Sequence, residues 1–383
     1  MPESAPIAGH TDPRFGPVRA AFTENFERRG EVGAAVCLAL GDRVVVDLWG
    51  GWRDGAHRHP WERDTLVNIF SVGKAVAALG VARLVGQGRL DYDAPVARVW
   101  PEFAAAGKST ITVRQLLSHQ AGLPAVREAL PGGSVFDPAR LGRVLAAQEP
   151  WWEPGTAHGY HVNTFGILVG ELVRRASGAS LGTLVRQEIA GPLQADFFIG
   201  VPPAALPRVA DFLGLVDAPP TGPEGLSDGP LMERQAYFNP PEFSGAGVIN
   251  STRWRTAELP STNGHATARG IARIFAALAA GGHGDGESVV DRRVLAEATA
   301  EQVYGDDLIL HRPSRFGLGF QLTQTERPLG PNPGSFGHFG AGGSLGFCDP
   351  GAQLAFGYAM NSMGPRWQNP RNRALVDACY GCL

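Results

Sequence analysis

Lysine is nearly absent from this sequence. Of the 34 Lys and Arg residues among 383, only Lys74 and Lys108 are lysines. No block of basic residues occurs and the formal net charge is −3, which excludes nucleic acid and anionic membranes as expected partners. No apolar stretch approaches 18 residues, so no transmembrane helix is expected. Met1–Arg14 lacks a basic segment followed by an apolar one, which points to a cytoplasmic protein without a signal peptide. Four cysteines are too few for a disulfide scaffold. Cys37 and Cys348 sit in strand-like apolar stretches as expected buried thiols, and the C-x-x-C of Cys379 and Cys382 has neither a helix start nor a second ligand pair beside it.

Chemical motifs are also missing. There is no H-E-x-x-H, no His/Cys set with metal spacing and no G-x-G-x-x-G between a strand and a helix, so neither a metal nor a cofactor is expected. His57 and His59 form an H-x-H pair without a third ligand, and with His158 and His161 they read as loop histidines.

What remains is a chain long enough for a large core, with 51 glycines and 30 prolines spread along it as turns. It is organised around Phe70-Ser71-Val72-Gly73-Lys74. An alternating stretch, 66–70, leads into apolar residues that continue with helical spacing to Gly86. Ser71 and Lys74 are three apart, so their side chains share a face of the first turn. Free N–H groups at a helix start favour developing negative charge. Arg cannot give up its proton in a protein, whereas a sheltered Lys can, and such a Lys beside a hydroxyl can activate a serine. A Ser cap followed by a snorkelling Lys fits the same four residues.

Along the chain, residues 1–13 lack a pattern and are expected as a loose arm. A helix from Phe15 stops at Gly30. Ala34–Leu40 and Arg43–Trp49 flank Gly41-Asp42 as a hairpin. A short helix over 111–119 has Thr112 as its cap. Thr164–Ala176, closed by Gly178, and Leu181–Ile189 are further helices. Residues 201–241 dissolve into Pro/Gly-rich sequence, expected as long substrate-shaping loops. A helix follows over 267–278, then three strands over 315–323, 335–348 and 352–360, then a terminal helix over 371–380. The expected fold is α/β of the α+β type: an antiparallel sheet flanked by helices, built from 1–100 and 251–383, with a mostly helical inserted subdomain over 101–250.

Two further clusters could complete a serine site. Gly159-Tyr160-His161-Val162-Asn163 is a polar knuckle before a helix. A nearby Lys⁺ could lower the Tyr160 hydroxyl from its usual ~10, while a core-edge tyrosine is an equal reading. Gly337-His338-Phe339-Gly340-Ala341 turns through small residues that allow close backbone approach, and a plain Gly-rich hairpin reads equally well. Gly342-Gly343-Ser344-Leu345-Gly346 matches G-x-S-x-G. However, strand-like sequence follows Ser344 and no His comes after His338, so the nucleophile-elbow reading fails.

Together these clusters resemble the serine β-lactamase-like superfamily of class C β-lactamases and penicillin-binding proteins, and within it the family VIII carboxylesterases and related acyltransferases. The resemblance spans roughly 15–380. Ser71-Val72-Gly73-Lys74 resembles S-x-x-K, Leu116–Leu123 the helix-and-turn signature, Tyr160 the Tyr of Y-x-N, and His338-Phe339-Gly340 the esterase form of K-T-G. The resemblance implies Ser71 as nucleophile, Lys74 as the group holding Ser71 and Tyr160, and Tyr160 as general base. It also implies Ser71 and Ala341 N–H groups as the oxyanion hole, with His338, Gly340 and Asn163 facing a small ester or acyl substrate. Trp152, with Trp151, could wall an acyl pocket. Val162 stands where the family has Asn, Asn163 comes one place late, and His338 replaces Lys. These departures favour carboxylic esters over β-lactams. An acyltransferase, a D-aminopeptidase, a weak β-lactamase and a catalytically inactive scaffold are the other readings.

Overall fold

Every residue of Gly33–Ala39 is buried, and Leu40 nearly so, because that strand is covered on both faces. It lies within a nine-stranded antiparallel sheet of a computed structural model that describes residues 6–215, 228–284 and 286–383. In chain order the strands are β1 (Ile7–Thr11), β2 (Gly33–Leu40), β3 (Arg43–Gly51), β4 (Val67–Asn68), β5 (Phe197–Ile199), β6 (Gly264–Ala266), β7 (His283–Gly284) and β8 (Glu287–Ser288). They continue with β9 (Val303–Asp306), β10 (Pro313–Phe316), β11 (Gln321–Leu322), β12 (Phe336–Phe339), β13 (Leu345–Asp349) and β14 (Leu354–Met360). The large sheet runs β1-β3-β2-β14-β13-β12-β11-β10-β9. Its centre therefore joins the two ends of the chain, with Met360 opposite Ala34 and Leu354 opposite Leu40.

The helices are α1 (Gly16–Arg28), α2 (Val72–Gly86), α3 (Val113–Leu117), α4 (Pro138–Ala147), α5 (Thr164–Ser177), α6 (Leu181–Val185), α7 (Asp228–Phe238), α8 (Thr252–Thr256), α9 (Ala268–Ala279), α10 (Arg292–Ala298) and α11 (Pro370–Tyr380). Helix α9 packs on β2, β13 and β14, while α1 and α11 pack on each other and α1 against β1 and β3. The close seat of α9 depends on a cross-strand glycine pair, Gly346 opposite Gly357. A methyl at Gly357 would lie 2.2 Å from Ala268 O, and one at Gly346 would lie 2.5 Å from the Phe275 ring. Helix α2 is buried almost throughout, between β12 on one side and α5 and α6 on the other. No helix among the described residues is long and apolar enough to cross a membrane.

Several expectations are corrected. The arm before residue 13 includes β1, paired with β3 from Ile7–Gly50 to Thr11–Val46. The strand expected over 335–348 is two strands, β12 and β13, folded back through Ala341–Gly343. The helix expected over 181–189 is α6 followed by a wider turn from Arg186 to Ala190. The loop region 201–241 includes a 3-10 turn at Pro203–Arg208 and helix α7, and its residues 216–227 lie outside the described ones. The mostly helical segment also contributes β5, which pairs with β6 and through it with β4. That small sheet delivers the chain to Ser71.

Candidate active site

Phe70, the residue before Ser71, adopts φ +48°. A non-glycine residue in this left-handed region costs about 1–3 kcal/mol and persists only where packing enforces it. Here the Phe70 ring meets Phe212 edge-on at 4.9 Å, and Ile69 N–H is fixed on Gly264 O at 2.8 Å. The sharp turn from β4 into α2 puts Ser71 at the helix start. Ser71 makes no side-chain cap, so its hydroxyl is free for other partners.

Lys74 is fully buried one turn on, and its Nζ has three oxygen neighbours: Ser71 Oγ at 3.0 Å, Val162 O at 2.6 Å and Ser261 O at 3.1 Å. Burial pushes the amine well below its ordinary value, and no carboxylate opposes that push. A neutral amine has two N–H bonds and one lone pair. Two carbonyl oxygens can only accept, so they take both N–H bonds and leave the lone pair toward the Ser71 hydroxyl. Neither carbonyl has a signature in sequence. Ser261 O is placed by the segment between α8 and β6, where Asn263 bonds Leu259 N, Trp254 O and Ala257 O.

Tyr160 is fully buried, with its ring centroid 4.8 Å from Lys74 Nζ. Burial holds its hydroxyl well above the ordinary tyrosine value, opposed by a hydrogen bond with Ser71 and by the Arg312 charge. The buried Asp307 carboxylate fixes the backbone here. It accepts N–H groups from Tyr160 at 3.0 Å and from Ile309 and Leu310 at 2.9 Å, and the Ser314 hydroxyl at 2.8 Å. His119, also at positive φ, packs its ring against Tyr160, Phe165 and Phe316 and accepts His161 N–H.

His338 is buried at the end of β12. Its Nδ1 donates to Phe339 O at 2.6 Å, so Nε2 is an acceptor, 3.5 Å from Tyr160 Oη at the outer limit of a hydrogen bond. Burial pushes its pKa down to about 3. The following Gly340 leaves no room for a side chain: a methyl there would meet Ser344 Oγ at 2.1 Å and Ile69 O at 2.4 Å. Ser344 Oγ donates to Ile69 O at 2.9 Å, tying the β12–β13 turn to the Ser71 turn. Ser344 is thus a fully buried tie, in agreement with the rejected elbow. Among the described residues, nothing accepts a hydrogen bond from the N–H of Ser71 or of Ala341. Ala341 sits in the turn that Ser344 ties to the Ser71 turn.

The structure thus brings Ser71, Lys74, Tyr160, His338, Gly340 and Ala341 together. Asn163 is directed elsewhere: its Nδ2 donates to Ala236 O at 2.8 Å and Ser244 Oγ at 3.0 Å, anchoring α7. Trp152 donates to Ala157 O and covers Gly159, beside Tyr160. Trp367 meets the Tyr160 ring edge-on at 5.1 Å and was not signalled by the sequence. His57 stacks on Trp52, His59 bonds Asp54, and His158 and His161 are held by Ser314 and by Gly159 O and Leu123 N. No cluster among the described residues has the composition of a metal site.

A family model described as Beta-lactamase matches residues 18–379. The esterase/beta-lactamase LipL of Mycobacterium tuberculosis is 37% identical over 364 residues, covering 93% of this chain and 83% of that protein. Among solved structures, a family VIII carboxylesterase superposes with a TM-score of 0.92 at 42% identity, over 99% of this chain and 100% of the other. A penicillin-binding protein homologue from Caulobacter crescentus superposes with a TM-score of 0.91 at 41% identity, over the same shares of the two chains.

Proposed function

The chain belongs to the beta-lactamase family, and on that premise we propose that it is a serine carboxylesterase that cleaves small carboxylic esters through an acyl-enzyme on Ser71. The observation that carries this reading is the set of contacts around Lys74 Nζ, two carbonyl oxygens that can only accept and the Ser71 hydroxyl at 3.0 Å. Similarity to an esterase and to a family VIII carboxylesterase supports the ester as the substrate class.

The mechanism follows from the protonation states. Ser71 Oγ attacks the ester carbonyl carbon as its proton passes to Lys74 Nζ. The N–H groups of Ser71 and Ala341 stabilise the oxyanion, a contribution whose loss costs ~10²–10³ in rate per donor. The carbon–oxygen bond to the alcohol breaks as Tyr160 Oη gives the leaving oxygen its proton. The acyl-enzyme then carries an ammonium at Lys74 beside a phenolate at Tyr160, each stabilising the other. Tyr160 takes a proton from water, hydroxide adds to the acyl carbonyl, and Ser71 Oγ leaves with the proton held by Lys74. Every group returns to its starting state. The family resemblance implies Tyr160 as the base of the first step. We assign that step to Lys74 and give Tyr160 the leaving alcohol and the water, because burial favours the neutral form of both groups. The apolar Val162 side chain where the family has Asn and the diversion of Asn163 to α7 support esters over β-lactams. The free thiols of all four cysteines support a cytoplasmic setting.

The test is hydrolysis of a short-chain p-nitrophenyl ester and of a chromogenic cephalosporin by wild type and Ser71→Ala. Turnover of the ester that exceeds that of the cephalosporin and vanishes in Ser71→Ala is the expected result. Full activity in Ser71→Ala would refute the site. An active wild type that needs an added alcohol or amine would move the reading to acyl transfer.

A further inference from the structure

A cleft of about 470 Å³ is lined among others by Glu233, Tyr237, Ile309, Arg312, Arg366 and Trp367, and its Trp367 also meets the Tyr160 ring edge-on. Arg312 is half-buried and its Cζ lies 4.9 Å over the Trp367 ring. Among the described residues it has no hydrogen-bond or ion-pair partner for its guanidinium, and Arg366, exposed at the rim, has none either. This is unlike other half-buried arginines of the chain. Arg83, Arg114, Arg175 and Arg269 each sit on a carboxylate at 2.5–2.8 Å.

The two cations line the same cleft, and burial above all weakens the hold of Arg312 on its proton, with Tyr237 and Asp307 opposing and Arg366 adding to it. The carboxylates nearest to them are already engaged. Glu233 pairs with His311 at 3.1 Å, and Asp307 is enclosed by three N–H groups and Ser314. A planar guanidinium laid on an indole, with its N–H edge unpaired and a second cation nearby, matches the bidentate geometry of a carboxylate.

Resting on the esterase reading, we propose that this cleft binds a carboxylate carried by the substrate, so that the preferred esters are anionic. Arg312 forms the paired hydrogen bonds on the Trp367 face, and Arg366 adds charge at the mouth. His338, which meets Tyr160 through Nε2, is not among the residues that line this cleft.

The experiment compares kcat/KM within two pairs of esters at low salt. One pair is phenyl acetate and 4-acetoxybenzoate, with the carboxylate on the alcohol. The other is p-nitrophenyl butyrate and mono-p-nitrophenyl succinate, with the carboxylate on the acyl group. The expected anionic-to-neutral preference, after correction for intrinsic ester reactivity, is about 10-fold or more in at least one pair, as one charge-assisted bidentate contact supplies. It falls to about 1 in Arg312→Gln, falls partway in Arg366→Gln and narrows in high salt. No preference in either pair, or a preference that Arg312→Gln leaves intact, overturns the proposal. Should Arg312→Gln fail to fold, the exposed Arg366→Gln and the salt dependence decide it. Calorimetric binding of 4-acetoxybenzoate and phenyl acetate to Ser71→Ala separates this inference from the esterase reading. If wild type turns over none of the esters, the esterase reading fails, while tighter binding of the anionic ester upholds the cleft and equal binding removes it.

Discussion

The amine of Lys74 lies closer to the backbone oxygen of Val162, at 2.6 Å, than to the hydroxyl of Ser71, at 3.0 Å. The shorter contact is to main chain, so the identity of residue 162 does not decide how Lys74 is held. The same contact makes Lys74 costly to replace. Lys74→Met should lose about 10³-fold or more in kcat and, by stripping two buried carbonyls of their donor, about 1–3 kcal/mol of stability. Lys74→Arg should be as inactive, because a guanidinium offers no lone pair at neutral pH. Ester kinetics with urea unfolding of the three proteins checks both statements. An active Lys74→Arg enzyme would transfer the base role to Tyr160.

The pH profile follows from the directions of the two shifts. The Lys74 base works deprotonated and its pKa is lowered, while Tyr160 works protonated and its pKa is raised. The rate kcat/KM should therefore climb along a single acid limb set by Lys74 and stay level to about pH 10. His338, held neutral down to about 3, adds no limb of its own in the neutral range. A falling limb near pH 8 would contradict the assignment.

Acid stability has its own sign. Burial lowers His161 to about 4 and His265 and His338 to about 3. The unfolded chain takes up these protons near 6.5. Stability from these groups is therefore complete above that value and is lost as pH falls toward 4 and then 3. The slope is about 1.4 kcal/mol per pH unit for each proton. Scanning calorimetry between neutral pH and 4 should show a steep fall in Tm. His265→Gln should lessen the slope by one proton.

Labelling with a fluorophosphonate, read by peptide mass, should modify Ser71 in wild type and in Ser344→Ala, and no serine in Ser71→Ala. Ser344→Ala should lose about 1 kcal/mol of stability with its hydrogen bond to Ile69 O. Modification of Ser344 itself would require the β12–β13 turn to open.

The buried pair of Glu31 and Arg371, 2.8 Å apart, supports the other side of that turn. Arg371 and Asn369 both donate to Gly342 O, and Tyr358 OH donates to Glu31. Arg371→Met should cost about 3–5 kcal/mol by leaving a carboxylate buried without its partner, and the double variant with Glu31→Gln should recover part of that loss. Denaturant unfolding of the single and double variants measures the coupling.

Side-chain spacing made much of this legible. The three-residue step from Ser71 to Lys74 is close to one helical turn, and Thr112 with Gln115 spells the capping box that opens α3. The groups left unread have no side-chain pattern. Val162 and Ser261 act through carbonyl oxygens. Asp307 and Trp367 reach Tyr160 from far along the chain, and Arg312 lies over Trp367. Strand β1 carries no sequence signature because Ala8, Gly9 and His10 are exposed at a sheet edge and show no alternation. Helix α7 has little separation of polar and apolar faces, so its period is faint.

Strand β14 stands between β2 and β13, so the middle of the large sheet closes only when residues 354–360 meet residues 34–40. Contacts so far apart in sequence form late and slowly. A ribosome-bound chain whose residue 354 is still in the exit tunnel can shape α2 and the Lys74 pocket. It cannot seat β13, the strand that follows the turn tied to Ile69 by Ser344, on β14. Ester cleavage should therefore appear during synthesis as a step at the end rather than a gradual rise, which makes activity a direct clock for completion of the fold.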